Sequence, residues 1–134
     1  MNRFDSIVVH HSASPRSTMI EAIRKWHTDK GWDDVGYHYV IEEDGSRKIG
    51  RRLPTTGAHA PPNNGRIGIC VTGDNTQPGH EWNYSQILGL EAVITHFLAV
   101  MPWLEVVRHS DVKDTLCPGL SDEAWRGLQS GWGR

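Results

Sequence analysis

Two contiguous apolar runs decide most of what this chain can become: Ile7-Val8-Val9, and the stretch from Ile67 to Thr72 that carries Ile69, Cys70 and Val71. A strand with one wet face alternates apolar and polar residues. A run without alternation suits a strand buried on both faces, as at the centre of a sheet covered by helices. The first strand, read from Phe4 to His11, ends in His10-His11-Ser12. Open sheets place ligand groups at such strand ends, where side chains emerge from the core edge into a crevice. Successive strand residues point to opposite faces, so only one of His10 and His11 can readily join a given site, and periodicity leaves both open.

The remaining elements fall between and after these runs. Thr18-Met19-Ile20-Glu21 has the spacing of a capping box. The helix that follows, about thirteen residues long, is an ordinary length for a globular domain. It carries Ile20, Ile23 and Trp26 as an apolar stripe and ends at Gly31 as a left-handed cap. Tyr37 to Glu43 reads as a strand with Tyr37 and His38 on opposite faces, Asp44-Gly45 as a hairpin turn, and Ser46 to Gly50 as the return strand. Arg51 to Arg66 is a loop long enough to suggest function, and its His59, flanked by small residues, suits an exposed loop or a substrate contact equally. Ser85 is expected to cap a long helix with Ile87, Leu90, Ile94, Phe97, Leu98 and Met101 inward and His96 solvated or hydrogen-bonded. Pro102 stops that helix, Leu104 to Val107 forms the last strand, and Ser121 to Gln129 a closing helix with Trp125 and Leu128 inward.

Charge excludes some functions. With 14 basic and 16 acidic residues the net charge is −2, so no general field recruits nucleic acid or an anionic membrane. Arg47, Lys48, Arg51 and Arg52 do cluster. That cluster reads either as a charged hairpin edge that resists aggregation or as a grip on an acidic substrate. Two cysteines are too few for a disulfide framework, although a single Cys70–Cys117 bridge is compatible with the spacing. The N-terminus carries no basic and apolar leader, and no stretch reaches membrane-span length. The expectation is a product made in the cytoplasm that acts outside only after export or release.

The densest chemistry lies between Val107 and Gly119, Val-Arg-His-Ser-Asp-Val-Lys-Asp-Thr-Leu-Cys-Pro-Gly. It reads as a site on irregular backbone between a strand and a Pro-Gly turn. Imidazole nitrogen and thiolate sulfur are the donors zinc prefers, and the spacing of His109 and Cys117 lets both reach one tetrahedral ion. Two donors are not a site, and a third must come from elsewhere.

Taken in order, Val9-His10 with Ser12-Ala13, Ile23-Arg24-Lys25-Trp26-His27, Gly31-Trp32, Asp34-Val35-Gly36-Tyr37-His38-Tyr39, Asp44-Gly45, Gly57-Ala58-His59, Ile67-Gly68-Ile69, His109-Ser110-Asp111-Val112 and Thr115-Leu116-Cys117-Pro118-Gly119 resemble the type 2 N-acetylmuramoyl-L-alanine amidases. That family includes small phage endolysins and the animal peptidoglycan recognition proteins. The resemblance implies a Zn2+ site of His10, His109 and Cys117, selecting His10 over His11, with the fourth position open as in catalytic zinc sites. It implies Tyr37 beside the metal as an oxyanion donor or water guide, and Thr115 at a position where amidase-active recognition proteins carry threonine and some phage enzymes lysine. It puts His59 near the substrate groove as a contact to peptide or muramoyl group. Members with serine at the cysteine position are generally binders, so Cys117 favours the catalytic branch.

The chain departs from the family pattern twice. Cys70 stands where cytoplasmic recycling amidases carry a glutamate, which leaves Tyr37 or bulk water as proton carrier and Cys70 as a packed thiol. Pro61-Pro62 replaces the glycine and tyrosine often found in relatives.

The resulting expectation is a single α/β domain over residues 1–134, with a central mixed sheet of about five strands, a common size, flanking helices and zinc in a surface groove. The reading is a monomeric, zinc-dependent amidase that cleaves the lactyl-L-alanine bond of peptidoglycan, in the manner of a phage or prophage endolysin. The alternatives are a non-catalytic peptidoglycan-binding module, a recycling amidase or an injected antibacterial effector. Two further readings have distinct chemistry: a thiol hydrolase with Cys117 as nucleophile and His109 as base, and a structural protein closed by a Cys70–Cys117 disulfide.

Overall fold

A computed structural model describes residues 4–133. In chain order the elements are β1 (Ser6–His11), α1 (Ile20–Asp29), β2 (Tyr39–Ile41), β3 (Arg47–Ile49), β4 (Arg66–Val71), α2 (Tyr84–Val100), β5 (Glu105–Arg108), the single turn α3 (His109–Val112), α4 (Asp122–Gln129) and a 3-10 turn at Ser130–Trp132. The five strands form one sheet in the order β3-β2-β4-β1-β5. β1 runs parallel to both β4 and β5, β2 runs parallel to β4, and only β3 is antiparallel.

The two contiguous apolar runs are thus adjacent inner strands, and each is buried on both faces. Ile7, Val9, Ile67, Ile69 and Val71 face a core built from Leu90, Ile94 and Phe97 of α2 together with Trp125 and Trp132. On the other face Cys70 and Val40 pack with Ile20 and Ile23 of α1 and with Val35. Strand alternation puts Val8 and His10 on this α1 side, and His10 is the register partner of Cys70. The sheet therefore carries its main core on one side and its chemistry on the other.

Helix boundaries follow side chains that sequence spacing misassigns. The expected Thr18–Glu21 capping box does not form: α1 begins at Ile20 and runs ten residues, and its N-cap Met19 makes no side-chain bond. The Ile20 N–H donates instead to Glu42 Oε2 at 2.8 Å, a nearly buried carboxylate at the end of β2. Trp26, expected inward, is 45 % exposed. Its neighbour His27 is half-buried instead, and His27 Nδ1 accepts the Gly36 N–H of the loop before β2 at 2.8 Å. α2 is capped by Asn83 rather than Ser85: Asn83 Oδ1 accepts the Gln86 N–H, and Gln86 Oε1 accepts the Asn83 N–H in return. Gly31 does end the first helical segment in a left-handed conformation (φ 93°).

Arg47 and Lys48 are exposed on β3, the sheet edge, where charge discourages edge-to-edge pairing. Arg51 is structural, donating to the Val35 and Thr56 carbonyls at 2.9 and 3.0 Å. Both cysteines are free thiols, so the Cys70–Cys117 disulfide reading is set aside. Among the described residues, no helix is long and apolar enough to cross a membrane.

Candidate metal centre

Three elements deliver the site. The end of β1 brings His10 to the α1 face at 2 % exposure, while His11 turns to the opposite face and accepts the Asn75 N–H on Nδ1 at 3.2 Å. β5, the parallel neighbour of β1, delivers the chain to His109. His109 does not sit on irregular backbone, as expected, but opens the one-turn helix α3. The cause is Asp111, whose Oδ2 accepts the Arg108 N–H at 2.8 Å as a carboxylate does at a helix start. The Arg108 guanidinium then binds Asp111, Asp122 and the Leu120 carbonyl, joining α3 to α4. Asp111 and Arg108 were legible as charges but not as a clamp. The three-residue spacing from Arg108 to Asp111 is the signal that could have revealed it.

The third donor sits on a loop folded back under α3. Ser110 N–H donates to the Cys117 carbonyl at 2.8 Å, and Asn75 Nδ2 holds the Pro118 carbonyl at 2.8 Å. Cys117 Sγ accepts the backbone N–H of His11 at 3.3 Å and stands 3.8 Å from His10 Nδ1. One side-chain donor atom from each of His10, His109 and Cys117 lies within 4.8 Å of the others.

Burial is the first cause of each titration shift here. It lowers His10 well below the usual histidine range, helped by His59, His109 and His11, and it lowers His109, helped by Lys113 and Arg66. It pushes the Cys117 thiol up to about 12, although the His11 N–H acts in the other direction. Two neutral imidazoles and a thiol thus face one point. Both ring nitrogens of His109 are buried and have no hydrogen-bond partner among the described residues, a state native proteins rarely leave uncompensated. The donor set fits a borderline-soft cation bound by nitrogen and sulfur, with a fourth position free.

Around these donors, Tyr37 lies with its ring centroid 5.0 Å from that of His10. Burial first, then Cys70 and Cys117, raise its pKa well above the usual phenol value, so it keeps its proton. His38, the next residue, turns away and is fully buried, with Nδ1 accepting the Gly68 N–H and Nε2 donating to the Thr55 carbonyl. Thr115 Oγ1 accepts the Cys117 N–H at 3.3 Å, which leaves its own hydrogen available. Cys70 is fully buried, and burial raises its pKa well above the thiol range.

His59 departs from expectation. It does not present a free nitrogen to a groove: it is 8 % exposed, its Nδ1 lies 3.0 Å from His10 Nε2, and its Nε2 lies 3.0 Å from the Arg66 carbonyl. Nothing in the composition of its loop separates these two placements.

Parallel strands thus deliver imidazole and thiol donors to one point that could hold a metal ion, with a phenol beside them that keeps its proton, an arrangement of the hydrolytic α/β class. Residues 1–120 match the model of the N-acetylmuramoyl-L-alanine amidases, and the chain belongs to that family. It is 32 % identical over 127 residues to the endolysin of Escherichia phage T7, covering 90 % of this chain and 84 % of the relative. It is 35 % identical over 136 residues to peptidoglycan recognition protein 1 of Bos taurus, covering 92 % of this chain and 70 % of that protein. Among solved structures, the N-acetylmuramoyl-L-alanine amidase LysC of Clostridium intestinale superposes with a TM-score of 0.85 at 27 % identity, covering 96 % of this chain and 85 % of that one. The Ph2119 endolysin from a Thermus scotoductus bacteriophage gives 0.82 at 26 % identity, covering 100 % of this chain and 88 % of that one.

Proposed function

We propose that this protein is a zinc-dependent amidase that hydrolyses the bond between the lactyl group of N-acetylmuramic acid and the L-alanine of the stem peptide. In this reading it works as a single-domain, monomeric endolysin that reaches the wall after release from the cytoplasm. The observation that carries the reading is the convergence of His10, His109 and Cys117 on one point, with their donor atoms within 4.8 Å and Tyr37 alongside. Those three residues would hold the zinc. When bound in such a three-donor site, zinc acidifies water and polarises a carbonyl.

The chain's own groups supply the rest. Tyr37, kept protonated by burial, donates a hydrogen bond to the oxygen on which charge develops; a donor preorganised in this way costs no rearrangement during reaction. The Thr115 hydroxyl, oriented by the Cys117 N–H, offers a second, neutral donor. The Cys117 sulfur is stabilised by the His11 N–H, a role that suits a ligand. Cys70 takes no proton-transfer role, because its burial holds it neutral.

The test is mass spectrometry of a defined muramoyl-peptide after incubation with the protein, with and without a chelator and after zinc restoration. Release of peptide beginning at L-alanine, lost with chelator and regained with zinc, is expected. Cleavage that survives chelation would point instead to Cys117 acting as a nucleophile. Binding without cleavage under every metal condition would place the protein with the non-catalytic recognition modules.

A further inference from the structure

We infer that His59 is a positioning residue: a hydrogen-bond relay from the Arg66 carbonyl through His59 sets the tautomer of His10, so that the His10 Nδ1 lone pair faces Cys117 and His109. The inference rests on the proposed metal site and concerns what stands behind it.

The direction of the relay follows from counting hydrogens. A carbonyl oxygen only accepts, so the 3.0 Å contact between His59 Nε2 and the Arg66 oxygen puts a hydrogen on Nε2. A neutral imidazole carries one ring hydrogen, so His59 Nδ1 is an acceptor. Its neighbour at 3.0 Å is His10 Nε2, and one hydrogen fits between the two nitrogens. His10 must supply it. That fixes His10 as the Nε2–H tautomer and leaves the lone pair on Nδ1, the nitrogen 3.8 Å from Cys117 Sγ. Metal-binding histidines commonly have their second nitrogen held in this way, most often by a carboxylate or carbonyl. Here a second histidine is interposed between the ligand and the carbonyl.

The surroundings are built for that ring. A Cβ added to Gly68 would stand 2.7 Å from His59 Cδ2 and Cγ, and one added to Gly57 would stand 2.5 Å from Cδ2. The absence of a side chain at both glycines leaves the space the ring occupies. The loop is pinned as well: Asn63 Oδ1 accepts the N–H groups of both His59 and Ala60 at 2.9 Å. Arg66 closes the loop by donating to the Ala60 carbonyl at 2.9 Å. The ring angle between His10 and His59 is 83°, edge to face, so the contact is made through nitrogen edges and not by stacking.

The test uses the full chain, with zinc ion as the only ligand. Zinc affinity is measured by competition with a chromophoric chelator, and the His10 tautomer by nitrogen-15 chemical shifts of the histidine rings in metal-free protein. The parent should show a single Nε2–H tautomer at His10. His59→Ala should show a mixture and bind zinc about 10- to 100-fold more weakly, the range for loss of such a partner. His59→Asn, whose carboxamide oxygen can take the place of Nδ1, should recover both the tautomer and most of the affinity. Unchanged tautomer and affinity in His59→Ala would overturn the inference. So would an Asn variant that folds yet behaves like Ala, and this arm stands even if the Ala variant fails to fold. A His10→Ala variant that binds zinc as tightly as the parent would instead remove the metal reading itself.

Discussion

Gly68→Ala adds one methyl group at a buried position of β4, and the structure fixes what that group meets. The new carbon would lie 2.7 to 2.8 Å from Cδ2, Cγ and Nδ1 of His59, well inside van der Waals contact. The ring cannot swing aside freely, because both nitrogens are bonded and Gly57 also lies close against it. Overpacking of this kind costs roughly 1–3 kcal/mol. If the ring yields, two hydrogen bonds worth about 1 kcal/mol net each are weakened. The expected loss is about 3 kcal/mol, which for a chain of 134 residues lowers the melting temperature by roughly 10 °C. Circular-dichroism melts of metal-free protein read this directly. The same substitution at Gly127 is the control, since that glycine is exposed within α4 and an added Cβ meets nothing within 4 Å. There the change removes a helix-interior glycine and should stabilise by about 0.5–1 kcal/mol. A Gly68→Ala melt within about 1 °C of the parent would refute the claim that His59 is held in a fitted slot.

Other outcomes follow from single contacts. Asn83→Ala removes the N-cap of α2 and should cost about 1 kcal/mol in a denaturant titration, whereas Ser85→Ala, at an exposed helical position, should change stability by less than about 0.5 kcal/mol. Asp111→Ala breaks the Arg108 N–H bond that starts α3. It should weaken zinc binding in the chelator competition while leaving a folded protein, and unaltered affinity would show that α3 does not orient His109. Tyr37→Phe should retain full zinc stoichiometry by metal analysis and lower turnover about 10²-fold or more, the usual effect of removing an oxyanion donor; an unchanged rate would take Tyr37 out of the chemistry. Cys117→Ser should bind zinc poorly and release no peptide by mass spectrometry.

The parts legible in the sequence are those with a local cause. Ile7-Val8-Val9 and the Ile67 to Val71 run announced inner strands because burial on both faces removes alternation, and Pro102 marked the end of a helix because it cannot continue one. The closing helix was legible from Ser121 to Gln129, and Ser121 proves to be its cap, its Oγ accepting the Ala124 N–H. The parts that were not legible have distant causes. Glu42 supplies the first turn of α1 across a separation of 22 residues, so the local Thr18–Glu21 pattern was outcompeted. Trp26 and His27 both suit the inner stripe by spacing, and the Gly36 N–H decides for His27. At the site, His10, His109, Cys117 and Tyr37 stood out through ordered motifs. The placement of His59 depended on two glycines, Gly57 and Gly68, whose significance appears only once β4 lies behind the loop.

The sheet order has a consequence for synthesis. β1 is made before both β4 and β5 but ends between them, and the donors His10 and Cys117, 3.8 Å apart in space, are 107 residues apart in sequence. At 5–20 residues per second, roughly 5 to 20 s separate the emergence of one from the other. During that interval the nascent chain holds an unpaired apolar strand and half a site. The three-donor cluster can close only once Cys117 has been made, and a product truncated before that residue would lack one of its three donors.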